Sequence, residues 1–201
     1  MAIDKIQAES INLADTFAFT GTVTGTPSDM VKISTTTISS AVATVEFTGL
    51  DNTTYPIHVV HMTDVQLTDN NKEFCCQVGT DSAYRTDNYR TTGVASRAGS
   101  TGVDGVSNHT SSEIKLNGTF TQGQASYKGF CGFVFFYNLG GADMTNYLVH
   151  GSFPQDGNYV VHTNLSGRNA SGEVHTKIKF GNLTSTSTMA DGVFTLYGMK
   201  A

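Results

Sequence analysis

Two tyrosines and three arginines stand out in residues 79–112, a stretch that is otherwise polar and rich in Gly, Ser and Thr. Tyr and Arg are residue types enriched at binding hot spots. A tyrosine ring can also stack on a sugar while its hydroxyl forms a hydrogen bond. Because long polar stretches in compact domains tend to be functional or mobile loops, we predict a binding loop that uses Tyr84, Arg85, Tyr89, Arg90 and Arg97. The alternative is an ordinary loop whose tyrosines pack back onto a sheet.

The sequence carries no catalytic or metal-binding signature. The six histidines lack zinc-ligand spacing, and His58 and His61 would lie on opposite faces of a strand. Nucleophile motifs and glycine-rich phosphate loops are absent. Paired carboxylates for glycoside cleavage stay open as an alternative, because their spacing is spatial rather than sequential; the candidates are Asp81, Asp87, Glu113, Asp143 and Asp156. We expect no catalytic residues, no metal ion and no cofactor.

The composition argues against several functional classes. Of 201 residues, 14% are charged and the net charge is −5, so no electrostatic footprint for nucleic acid is visible. No apolar run is long enough to span a membrane. The chain is not of the disordered class either, because 38% of it is hydrophobic, including 12 Phe and 8 Tyr. Gly, Thr, Ser and Asn together supply 80 residues, which indicates a surface of hydroxyls and amides.

Apolar and polar residues alternate with a period of two along much of the chain, and the β-branched residue Thr is abundant. About ten such segments are separated by turn clusters rich in Asn, Asp and Gly. The pattern predicts an all-β fold, an antiparallel β-sandwich of jelly-roll type with a short N-terminal arm. The segment Phe130–Tyr137 is apolar on both faces, which predicts a central strand between two layers.

The first residues are predicted to form a separate segment. We assign residues 1–25 to an N-terminal arm or attachment segment and residues 26–201 to the jelly-roll domain. Phe17 and Phe19 share one face of a strand-like stretch, and an exposed apolar face of this kind marks a contact surface. The alternative is that this stretch is the first strand of the sandwich.

Three stretches carry a resemblance to a known group of proteins. They are residues 11–25, the pair 55–60 and 74–78, and the closing residues 192–200 with their Leu-Tyr-Gly. In their order and strand pattern they resemble small jelly-roll tail-fibre-like or virion structural proteins of tailed bacteriophages. The chain departs from that group at residues 79–83, where paired glycines are usual, and at Cys75 and Cys76.

The resemblance implies a non-enzymatic structural protein of the virion exterior, of tail-fibre or receptor-binding type, that contacts host surface glycans. The alternative is a capsid decoration (cement) protein, and a lesser alternative is an envelope-polysaccharide depolymerase. We expect a homotrimer in the virion whose partners are other tail or capsid proteins and a host surface carbohydrate, without nucleic acid or membrane insertion. The residues expected to attach it to the virion are Ile11, Leu13, Phe17 and Phe19.

Overall fold

The computed structural model describes residues 29–99, 102–123, 129–155 and 159–200. These residues form twelve β strands and no helix, which confirms the all-β prediction. Accordingly, the described part of the chain holds no helix that is long and apolar enough to cross a membrane. The predicted arm and its four contact residues, Ile11, Leu13, Phe17 and Phe19, lie outside the described residues.

The strands pair antiparallel in two sheets. They are β1 (Met30–Ile38), β2 (Thr44–Thr48), β3 (Ile57–Leu67), β4 (Cys75–Gly79), β5 (Tyr89–Arg97), β6 (Val103–Ser111), β7 (Ile114–Lys115), β8 (Phe130–Tyr137), β9 (Thr145–Gln155), β10 (Tyr159–Asn169), β11 (Lys177–Gly181) and β12 (Met189–Met199). The large sheet has the order β1-β12-β3-β8-β9-β10-β5-β6, and the small sheet has the order β2-β11-β4-β7. Successive strands alternate between the sheets, except in β5–β6 and β8–β9–β10, which stay within the large sheet. The result is the predicted antiparallel β-sandwich.

An aromatic cluster joins the two sheets at the centre of the core. The ring of Phe74, just before β4, lies 5.4 Å from that of Phe130, 6.5 Å from that of Phe180 and 6.4 Å from that of Phe194. All four side chains are fully buried. Burying an aromatic side chain of this size contributes about 1.5–3 kcal/mol, so the cluster holds the sheets face to face.

Residues 79–112 are not a long loop, and that prediction was wrong. β5 and β6 occupy most of the stretch and pair as the last two strands of the large sheet. Their inward positions carry Tyr89, Ala95 and Val106, which are buried. A strand pair at a sheet edge with one solvent-facing side needs few apolar residues, and Thr and Ser fill its outer positions. The composition of such a pair therefore resembles that of a loop.

Strand β8 lies fourth of eight in the large sheet, so its central position was predicted correctly. The expectation of a covering layer on both faces was wrong for the described residues. Val134 and Phe136 are buried in the core, whereas Phe133 on the other face is 38% exposed. The Phe133 ring stacks on His61 of β3, with 4.5 Å between ring centroids. Within the described ranges, the outer face of the large sheet is therefore open surface.

Candidate functional site

A groove lies on the outer face of the large sheet, and we call it the outer groove. Its volume is about 760 Å³, and its lining comes from β8, β9, β10, β5 and β6. Small-ligand sites are usually concavities of this size in which a few polar groups stand among apolar ones. The outer groove is therefore the candidate site.

One row of side chains crosses the sheet along the outer groove. In the register of the sheet, Tyr137 pairs with Asn146. Arg168 pairs with Asn146 on one side and with Arg90 on the other. Paired residues of antiparallel strands project from the same face, so the four side chains stand next to one another. With strands about 4.8 Å apart, the row is roughly 14 Å long.

A second row beside the first adds an apolar contact and hydroxyls. Leu148 pairs with Ser166, and Ser166 pairs with Thr92. Leu148 is 43% exposed, and together with Tyr137 it makes one end of the outer groove apolar. The opposite end carries the arginines, the Thr92 hydroxyl and the exposed His109 of β6. The outer groove thus combines an apolar end with a cationic, hydroxyl-rich end.

Gly167 permits the close strand approach that shapes the groove floor. A Cβ atom at this position would lie 2.1 Å from the Arg90 carbonyl oxygen and 2.4 Å from the Tyr147 hydroxyl oxygen. The buried Tyr147 donates a hydrogen bond of 3.0 Å to that carbonyl, and its hydroxyl lies 2.6 Å from the Thr91 hydroxyl. Burial raises the pKa of Tyr147, so the hydroxyl keeps its proton and remains a donor. The backbone that carries Arg90 is thereby held beside that of Arg168.

Arg90 and Arg168 face the outer groove, and no described residue supplies either of them with a counter-charge. Within the described residues, neither guanidinium forms an ion pair or a side-chain hydrogen bond. The described residues that line the outer groove include no carboxylate. One end of the outer groove therefore presents two arginines on paired strands, whose guanidinium N–H donors have no acceptor among the described residues.

No family model, curated protein or solved structure matches this chain.

Two of the predicted binding residues lie beside the small sheet, away from the outer groove. The Tyr84 hydroxyl donates a hydrogen bond of 2.9 Å to the Glu46 carboxylate, and the Lys179 ammonium lies 4.2 Å from the centre of the Tyr84 ring. Arg85 forms a two-bond ion pair with Glu173. Both side chains are thus engaged by residues of the protein itself.

The remaining predicted residues lie in three different environments. Tyr89 is fully buried on the inner face of β5, where the Val78 N–H donates a 2.8 Å hydrogen bond to its hydroxyl. The prediction that Tyr89 binds a ligand is therefore corrected. The Arg97 guanidinium lies 4.8 Å from the Tyr159 ring centre and 5.9 Å from that of Phe120. Of the five predicted residues, Arg90 alone lines the outer groove.

Sequence reasoning missed the other residues of the outer groove. Asn146 and Leu148 on β9, like Ser166 and Arg168 on β10, occupy outward positions that alternate with buried ones. This alternation was a usable signal that they reach the surface. It does not tell which outward residues of different strands become neighbours, because that depends on strand order and register.

A separate cluster has the residue types of a metal site. Ligand atoms of Glu73, Cys75 and Glu113 lie within 4.8 Å of one another. The Lys115 ammonium lies 2.5 Å from Glu73 Oε1, and Ser112 donates a hydrogen bond to Glu113. Burial, followed by the neighbouring Glu113 carboxylate, raises the pKa of the Cys75 thiol, which disfavours the thiolate that metals bind. The cluster is therefore satisfied by the protein's own groups.

Two buried histidines lie outside the outer groove. The Nδ1 atom of His175 lies 2.7 Å from the Thr145 hydroxyl, and its Nε2 atom lies 3.3 Å from Glu173. The ring nitrogens of His58 have no hydrogen-bond partner among the described residues. Burial lowers the pKa of both histidines, so both are held neutral in the folded protein.

Proposed function

We propose that the chain is a non-enzymatic structural protein of the bacteriophage virion exterior, a tail-fibre or receptor-binding type module that contacts a host surface glycan through the outer groove. The observation that carries the glycan assignment is the row that crosses this concave face, made of Tyr137, Asn146, Arg168 and Arg90. The virion assignment is supported by the low content of charged residues. Contacts between uncharged groups lose little when salt screens charges, as suits a particle exposed to changing media.

The outer groove fits a sugar because a sugar has both an apolar and a polar surface. The C–H face of a pyranose ring can pack on the Tyr137 ring and the Leu148 side chain at the apolar end. The hydroxyls of the same sugar can bond to Asn146, Ser166 and Arg168, which supply donors and acceptors. The two kinds of contact lie side by side on adjacent strands, as one bound sugar chain requires.

The proposal assigns binding rather than cleavage to the outer groove. Most glycoside hydrolysis uses a pair of carboxyl groups beside the scissile bond, one as a general acid and the other as a base or a nucleophile. The described groove lining contains none. Two of the predicted candidates are engaged elsewhere, since Asp81 accepts a hydrogen bond from Thr176 and Glu113 accepts one from Ser112.

A groove-filling variant with a matched control tests the glycan assignment. Ser166→Trp places an indole within the outer groove, whereas Asn164→Trp places one on the same strand and face, outside the groove lining. Binding to host envelope polysaccharide, measured by biolayer interferometry, should weaken about tenfold or more in Ser166→Trp, a loss of about 1.4 kcal/mol. Asn164→Trp should bind like the unmodified protein. If Ser166→Trp binds the polysaccharide as well as Asn164→Trp does, the glycan does not bind in the outer groove. Shortened polysaccharide products would favour the depolymerase alternative.

We also propose that the protein is a homotrimer on the virion. Among the described strands, β6 lies at the edge of the large sheet; it has nine residues without Lys or Pro, and its Val103 is 62% exposed. Natural proteins usually protect such edges, and closed symmetric assembly is one way to cover them. A monomer mass from light scattering at micromolar concentration would contradict the trimer. Copy number per particle separates the candidates, because hundreds of copies would favour the capsid decoration alternative over a tail fibre.

The jelly-roll type of the sandwich is also a proposal. It is supported by the strand orders β1-β12-β3-β8 and β2-β11-β4-β7, between which the chain passes back and forth. A jelly roll consists of eight strands in two sheets. In this interpretation β9, β10, β5 and β6 extend one sheet beyond the eight, and this extension forms most of the outer groove.

A further inference from the structure

We infer that the glycan bound in the outer groove carries an acidic substituent, a carboxylate or a sulfate ester, that is held between Arg90 and Arg168. The inference rests on the proposed glycan function and specifies the class of ligand. Its basis is a pair of arginines that face each other across β5 and β10. Both line the outer groove, and neither has a counter-charge in the described parts of the chain.

The environment of this pair differs from that of the other arginines in the chain. Arg85 is neutralised by Glu173, and Arg97 lies against the rings of Tyr159 and Phe120. These are two common ways for a protein to accommodate a guanidinium without a ligand. Among the described residues, Arg90 and Arg168 have neither arrangement.

The placement of Arg90 and Arg168 costs stability unless an anion is present. Like charges directly opposite each other on neighbouring strands are destabilising. Both side chains are only partly exposed, so water screens their repulsion incompletely. An oxyanion between the two would replace the repulsion with charge-assisted hydrogen bonds from two planar donors.

The backbone beneath the pair is already in position. Tyr147 holds the Arg90 carbonyl, and Gly167, the residue before Arg168, allows the two strands to meet there. A site whose backbone is fixed before binding loses less conformational freedom when the ligand arrives. The geometry therefore favours recognition of a charged group at one defined point of a sugar chain.

The test compares three sugars that share one ring: galactose, galacturonate, and galactose sulfated on its primary hydroxyl. Isotope-labelled protein is titrated with each, and the side-chain N–H signals of the arginines are followed by NMR. One of the acidic sugars should bind about tenfold or more tightly than galactose, the gain expected for a charge-assisted pair, and the better of the two identifies the substituent. Arg90→Gln and Arg168→Gln should each reduce this preference. Lys32→Gln, which removes a cation from the same face at the opposite edge of the sheet, should not.

Thermal unfolding gives an independent readout. Without ligand, Arg90→Gln should raise the unfolding midpoint, because it removes the repulsion. The preferred acidic sugar should raise the midpoint of the unmodified protein but not that of the double glutamine variant. A lower midpoint for Arg90→Gln without ligand would contradict the unbalanced charge pair.

The outcomes separate this inference from the proposed function. Equal affinity for the three sugars, with both glutamine variants unchanged, overturns the acidic ligand and leaves the glycan proposal standing. If inorganic sulfate shifts the arginine signals with the same affinity as either acidic sugar, the anion site stands and the glycan proposal fails. Arginine signals that do not move with any of these anions overturn the inference outright.

Discussion

Gly167→Ala tests whether the strands beneath the outer groove approach each other as closely as the structure shows. The added methyl carbon would lie 2.1 Å from the Arg90 carbonyl oxygen and 2.4 Å from the Tyr147 hydroxyl oxygen, whereas ordinary contacts begin near 3.4 Å. The carbonyl belongs to the backbone of the neighbouring strand, and the Tyr147 ring is buried. Neither group can move aside alone, so the strands must separate or the tyrosine must be displaced.

Two costs contribute to the expected loss of stability in Gly167→Ala. Overpacking a filled position costs about 1–3 kcal/mol. If Tyr147 is displaced, its buried hydroxyl loses the Arg90 carbonyl and the Thr91 hydroxyl, and a buried polar group without a partner costs about 1–3 kcal/mol. We expect a total near 3 kcal/mol, and a denaturant slope of about 2 kcal/mol/M turns this into a urea midpoint lower by about 1.5 M.

Gly105→Ala is the matched control, because an added Cβ at this position in β6 of the same sheet meets no atom within 4 Å. It should raise the free energy of unfolding by about 0.4–1 kcal/mol, since alanine restricts the unfolded chain. Urea unfolding followed by near-UV circular dichroism measures both variants. A Gly167→Ala midpoint equal to that of the unmodified protein would refute the close approach and, with it, the fixed position of Arg90.

Three further predictions concern the core, the buried histidines and the first residues. Phe74→Ala should lower the free energy of unfolding by about 3–5 kcal/mol, since the buried ring contacts three others. A loss below about 1 kcal/mol would show that Phe74 is not at the centre of the core. Stability should fall as the pH drops below about 6.5, because the pKa values of His58 and His175 are lowered by folding and the unfolded chain takes up protons first. In His58→Phe the urea midpoint should fall less steeply as the pH drops. If the urea midpoints of the variant and the unmodified protein depend on pH equally, His58 does not contribute to the loss of stability. Deletion of residues 1–25 should abolish virion incorporation but leave a folded sandwich by circular dichroism, and an unfolded product would show that this segment belongs to the core.

The strands that were predicted correctly have one face buried in the core. In β8, for example, the core-facing residues Phe130, Val134 and Phe136 lie at alternate positions, because the core requires apolar residues on one face of the strand. The β5–β6 pair was missed for the converse reason. Its outer face is solvated and its inner face carries small or polar residues beside Tyr89, so the alternation is weak.

The candidate site was less predictable than the fold. Tyr89 and Arg90 are adjacent in sequence and were assigned the same role, yet one lies in the core and the other in the outer groove. Recognising β5 as a strand would have separated them, since neighbouring residues face opposite sides. The pairing of Arg90 with Arg168 could not be derived from the sequence, because it depends on which strand lies next to β5 and in which register.

The position of the outer groove follows from the way the large sheet is extended. The four strands that lengthen the sheet are covered on their inner side in part by the turn after β7. There the Thr163 hydroxyl donates a 3.0 Å hydrogen bond to the Leu116 carbonyl. A Cβ atom added at Gly118 would lie 3.2 Å from Val106 Cγ2 and 3.3 Å from Ala95 Cβ, so the turn passes close to these inward side chains. Because this cover lies on the inner side of the extension, the side chains on its outer face remain accessible at the outer groove. Paired strands hold side chains more rigidly than a loop does. Because the outer groove is lined by five strands rather than by one loop, the predicted binding loop contained one of its arginines, Arg90, but not Arg168.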